Sequence, residues 1–209
     1  MNAQIEWLKN DLASVNRTKT PWVVALGHRP FYVSTSGVCA NCTTAFEPLF
    51  YEYGVDLYFC GHSHVYERNA PTYKNVTDPA ELNNPRATWY IVNGAAGHYD
   101  GLDTLNDPLR PYSRFAEDTT YSWSKLIFHN CTHMTQQAIA SANGTVFDEA
   151  TLFKNRTCSP TEAASYPYTQ YGFPTGRPFG QPALPSGLPF AAGHAPTDRP
   201  IPTAKPTWF

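Results

Sequence analysis

The 209-residue chain has no run of about 18 consecutive apolar residues, the length a membrane-crossing helix needs. No membrane partner is therefore expected. It also has no block of lysines and arginines and no acidic tail. Its formal net charge is −2, with a pI of about 6.4, so a nucleic-acid partner is not expected either. Charged residues make up only 15% of the chain, whereas aromatics reach 14%, so the body has the means to bury a core. The segment Met1-Asn2-Ala3-Gln4-Ile5-Glu6-Trp7 lacks the basic start and apolar stretch of a secretory leader.

Other features nonetheless point to the secretory route. Six Asn-x-Ser/Thr acceptors occur, at Asn16, Asn41, Asn75, Asn130, Asn143 and Asn155. The expectation is a secreted, extracellular glycoprotein whose signal peptide lies upstream of Met1. The cysteine count is odd: Cys39, Cys42, Cys60, Cys131 and Cys158. Cys39-Ala-Asn-Cys42 sits in a turn-like stretch and is expected to close a local disulfide. Cys131–Cys158 is the second expected pair. Cys60 ends an apolar run and is expected as a buried thiol. The Cys-x-x-Cys spacing also occurs in zinc sites, but no second cysteine pair completes one here.

The first 70 residues alternate helix and strand. Ile5, Leu8 and Leu12 recur at helical spacing over 3–14. Trp22–Leu26 is a short apolar run that stops at Gly27, the pattern of a buried strand, and His28 follows directly. Thr44-Ala-Phe-Glu47 has the form of a capping box opening a helix that Gly54 closes. Residues 55–60 are a second apolar strand, followed by Gly61-His62-Ser63-His64-Val65-Tyr66-Glu67-Arg68. Such alternation predicts an α/β layer with parallel strands. Ligands of these sheets gather outside the strands' carboxyl ends, which places His28 near His62 and His64. In an extended backbone His62 and His64 would point the same way.

Beyond residue 72 the pattern changes to strands alone, over 88–92, 122–128, 134–140 and 146–153. Asn143-Gly144 forms a hairpin signal between the last two. From 159 onward 11 of the 19 prolines crowd into a stretch without apolar periodicity. The expected organisation is a catalytic layer over 1–71, a β-rich segment over 72–158 and a disordered Pro-rich tail over 159–209.

Three neutral imidazoles at two strand ends suit divalent metals. A two-metal hydrolytic centre also needs carboxylates to hold the two cations close together. No Asp-rich strand end is evident in the chain. Ala25-Leu26-Gly27-His28-Arg29-Pro30, followed by Gly61-His62-Ser63-His64-Val65-Tyr66-Glu67-Arg68, resembles the last two motif blocks of the metallophosphoesterases. Gln4-x-x-Trp7-Leu8-x-x-Asp11-Leu12 and Val92-Asn93-Gly94-Ala95-Ala96-Gly97-His98 narrow the resemblance to the large purple acid phosphatases of plants and fungi. It spans about residues 4–155.

The resemblance implies the C-terminal part of a metallophosphoesterase β-sandwich flanked by helices. It implies acid phosphatase activity on phosphate monoesters. The implied cofactor is a binuclear centre, Fe(III) with Zn, Mn or Fe(II). By the same resemblance His28 and His62 bind the divalent metal and His64 the iron. Aspartate blocks of the GDxG, GDxxY and GNHE kind do not occur in this chain, nor does the histidine pair that plant members carry after the His28 block. His98 is therefore the expected proton donor and Arg29 the expected substrate contact. The isolated chain is expected to be inactive or weakly active. The alternative is a non-catalytic secreted module that keeps the fold without a working metal centre.

Overall fold

The computed structural model describes residues 2–157. The Cys131–Cys158 pairing, His194 and the Pro-rich tail fall wholly or partly outside the described residues. The element order is α1 (Asn2–Ser14), β1 (Val24–Gly27), α2 (Ala40–Tyr53), β2 (Leu57–Cys60), β3 (Tyr66–Asn69), β4 (Thr72–Tyr73), β5 (Val76–Thr77), β6 (Trp89–Asn93), β7 (Ser113–Glu117), β8 (Ser122–Phe128), β9 (His133–Ala140) and β10 (Val146–Phe153). Five strands form one sheet in the order β1-β2-β6-β3-β7. Three more form another, β10-β9-β8.

In the first sheet β1, β2 and β6 run parallel, whereas β3 pairs antiparallel with both β6 and β7. The parallel α/β expectation holds for β1 and β2. The sheet is nevertheless mixed, because Tyr66–Asn69, just after His62 and His64, forms a strand that pairs antiparallel with β6.

Strand alternation divides the core into two layers. Tyr58, Cys60, Tyr90 and Val92 pack with Phe31, Phe50 and Leu12 on the helical side. Leu57, Trp89 and Ile91 pack with Met134, Ala138 and Leu152 of the three-stranded sheet. Both sets are the period-2 faces of β2 and β6, so one sheet is buried on both sides. The sheets are also tied by charge. Arg68 grips Asp148 through Nε (2.7 Å) and Nη2 (2.9 Å), and the Tyr66 hydroxyl donates to the same carboxylate at 2.6 Å. A buried guanidinium and carboxylate matched in this way satisfy one another's hydrogen bonds.

One local expectation, the capping box at Thr44–Glu47, is corrected. The helix α2 begins at Ala40, not at a Thr44 cap. The Cys39–Cys42 disulfide closes its first turn, and the Cys39 sulfur accepts the Cys42 N–H. Thr44 lies inside the helix and returns its hydroxyl to the Ala40 carbonyl, while the Glu47 carboxylate accepts from the Tyr32 hydroxyl. The helix ends as the sequence indicates, with Gly54 left-handed at φ 64°.

Candidate metal centre

The parallel pairing of β1 and β2 aligns Gly27 with Cys60, so His28 and Gly61 leave the sheet side by side. The Gly61 N–H donates to the His28 carbonyl at 3.2 Å. The Tyr58 hydroxyl secures the next residue by donating to the Arg29 carbonyl at 2.8 Å. The backbone then turns sharply. His62 is left-handed at φ 66°, and the Ser63 N–H closes onto the Gly61 carbonyl at 2.9 Å. The expected extended geometry of His62 and His64 is thus replaced by a bend. A non-glycine residue at positive φ is strained, a cost that surrounding structure must hold in place.

The bend aims His62 at His28. Their Nδ1 and Nε2 atoms lie 3.1 Å apart, and the rings meet edge to face. Two imidazoles on one tetrahedral or octahedral cation, with metal–nitrogen bonds near 2.0–2.1 Å, hold their nitrogens about 2.8–3.4 Å apart. The observed spacing fits that range. Burial holds the His62 imidazole below its ordinary pKa, and the charge of Arg29 adds to the effect. His62 is thereby favoured in the neutral form that a ligand requires.

His64 points elsewhere. Its Nδ1–H donates to the Gly101 carbonyl at 2.9 Å, which leaves Nε2 as the lone-pair nitrogen. A carbonyl acceptor behind the ring is the usual partner of a metal-binding imidazole. Arg68, four residues on, takes no part in orienting His64, because it is spent on Asp148. His98 stands next to His64, ring centres 4.9 Å apart. It is exposed, with its Nδ1 3.4 Å from an Asp100 oxygen. Arg29 is also exposed. Among the described residues no group of three or more His, Cys, Asp or Glu is gathered tightly enough to hold an ion alone. The pair His28–His62 fits part of a donor set, not a complete one.

Three supports were not read from the sequence. Asp103 Oδ2 accepts the His64 N–H at 2.9 Å, and the Asp103 N–H returns to the His64 carbonyl at 3.2 Å. Glu67, fully buried, accepts the Ser34 N–H at 2.6 Å and the Ser34 hydroxyl at 2.7 Å. Gly94 lets the end of β6 pass under the bend, since a Cβ there would sit 2.0 Å from the Ser63 carbonyl oxygen. A charged residue inside a strand, as at Glu67, was the one available signal.

Two family descriptions match the chain. Calcineurin-like phosphoesterase covers residues 2–66, and iron/zinc purple acid phosphatase-like protein C covers 87–149. The chain belongs to the purple acid phosphatases. It is 45% identical to acid phosphatase A of Cryphonectria parasitica over 74% of its own length and 31% of that protein's. It is 37% identical to an acid phosphatase of Aspergillus ficuum, over 72% and 26% respectively. Among solved structures it superposes on the purple acid phosphatase PPD1 of yellow lupin seeds at a TM-score of 0.65 and 28% identity. That match covers 75% of this chain and 30% of the lupin chain. This purple acid phosphatase chain therefore spans a third or less of the length of these relatives.

Proposed function

We propose that the chain supplies the histidine side of a metal-dependent phosphomonoesterase centre, working on phosphate esters at acidic pH. The observation that carries this is the 3.1 Å nitrogen pair of His28 and His62, at the carboxyl ends of two adjacent parallel strands. In this reading His28 and His62 hold a divalent ion, zinc, manganese or iron(II). His64, turned away and backed by the Gly101 carbonyl, faces iron(III). Ions bound there, once the donor set is complete, lower the pKa of a water and polarise phosphoryl oxygens.

The remaining roles belong to this chain's own side chains. Arg29, exposed beside His28, draws the anionic ester toward the strand ends. His98, beside His64, stands as the group that returns a proton to the departing alcohol oxygen. Exposure of all six sequon asparagines, Asn16, Asn41, Asn75, Asn130, Asn143 and Asn155, supports a secreted glycoprotein. Three of them, Asn16, Asn130 and Asn143, already lie in tight turns with the N–H of the acceptor threonine.

One observation favours a second reading, a non-catalytic module. Among the described residues the donors for two ions are not gathered. Metal content and hydrolysis of 4-nitrophenyl phosphate, measured together on the full chain, separate the two. Metal retained through His28 and His62 with slow turnover supports the proposal. A metal-free, inert chain that stays folded supports the module. Brisk turnover with two ions would show that the donor set is more complete than these three imidazoles.

A further inference from the structure

Next to His62 the surface opens into a cavity of about 250 Å³. Thr35 stands on one wall, Asp103, Thr104 and Asn106 on the other, with His62 and Ser63 between them. The walls are built rather than loose. Ser34, beneath the first wall, is clamped through both its N–H and its hydroxyl by buried Glu67. The same serine reaches the second wall. Its carbonyl accepts the Asn106 N–H at 2.7 Å, and its hydroxyl oxygen accepts the Arg110 N–H at 3.0 Å. Thr35 and Ser63 join their hydroxyls at 2.8 Å across the floor. Asp103 fastens the far wall to the His64 backbone.

The lining has a definite chemistry. It offers hydroxyls, an amide and one carboxylate, and no lysine or arginine lines it. Arg29 lies in the groove along β1 instead. The volume is below the 300–1,000 Å³ of ordinary ligand pockets. At about 30 Å³ per water it equals roughly eight waters.

We propose that this cavity receives the alcohol side of the phosphate ester and selects small, hydrogen-bonding, uncharged or cationic leaving groups. Leaving groups that carry further phosphates are disfavoured. The inference rests on the reading of His28 and His62 as the phosphate-binding end. An ester held there places its alcohol beside His62. Hydroxyls on that alcohol meet Thr35, Thr104 and Asn106, whereas a second phosphate meets the Asp103 carboxylate, with no lysine or arginine in the lining to offset the repulsion.

The test is calorimetric titration of the full chain, loaded with Zn²⁺, with inorganic phosphate, 1,3-propanediol monophosphate and 1,3-propanediol bisphosphate. The expected result is that the monophosphate binds roughly tenfold more tightly than the bisphosphate. Asp103→Asn keeps an acceptor for the His64 N–H and should shrink that ratio. Thr104→Lys, at an exposed lining position, should reverse it. Equal or tighter bisphosphate binding, or ratios unmoved in both variants, overturns the inference while leaving the phosphate site intact. Failure of inorganic phosphate itself to bind overturns the reading of the site and this inference with it.

Discussion

Glu67 shows how much one residue carries. Its carboxylate is fully buried and both of its acceptor contacts go to Ser34. Replacing it with alanine strands a buried N–H and a buried hydroxyl, at about 1–3 kcal/mol for each unsatisfied group. Glu67→Ala should therefore lower stability by roughly 2–6 kcal/mol in urea titration, whereas Glu67→Gln, which keeps an acceptor, should lose less than half of that. Equal losses would mean that the contacts to Ser34 are incidental. Glu47 behaves differently. Burial raises its pKa above the ordinary glutamate value, although hydrogen bonds from Tyr32 and the Lys74 N–H oppose the shift. The folded state therefore holds a proton that the unfolded state has released, in the window above about pH 4.3. Stability should fall as pH rises through that window, and Glu47→Gln should flatten the slope. Thermal melts from pH 4 to 7 check the sign.

At the scale of elements, β3 and the bend before it join the site to the second sheet. Tyr66 and Arg68 of β3 converge on Asp148 of β10, with 15% and 6% of the Arg68 and Asp148 side chains exposed. Removing one partner from such a pair leaves a buried charge and costs about 3–5 kcal/mol. Asp148→Ala should lose that much in chemical denaturation, and a loss below 1 kcal/mol would show the pair to be solvated. Gly94→Ala tests the bend itself. A Cβ 2.0 Å from the Ser63 carbonyl oxygen forces the bend or β6 to move, so metal affinity should fall even where the fold survives. Strands β1, β2, β6, β8, β9 and β10 were legible in the sequence as apolar runs, and β2 and β6 alternate between the two core layers, whereas the short strands β3, β4, β5 and β7 were not read. The bend was not, because a histidine at φ 66° leaves no trace in hydrophobic period. The start of α2 was missed for a similar reason: a disulfide, not a hydroxyl cap, closes its first turn.

For the whole molecule, motif spacing revealed the family, because His28 and the His62–His64 pair are brought together by strand order alone. Spacing could not show which imidazoles face one another, since that depends on a local turn. It could not reveal Asp103 as a support either, since that contact comes from a loop 39 residues further along the chain. The account's central claim is that His28 and His62 share one divalent ion. Metal analysis of the full chain after dialysis against Zn²⁺, wild type beside His62→Ala and His98→Ala, tests it directly. The account predicts about one zinc in the wild type and in His98→Ala, and a loss of more than tenfold in affinity in His62→Ala. Zinc bound equally by all three proteins, or by none, would contradict it.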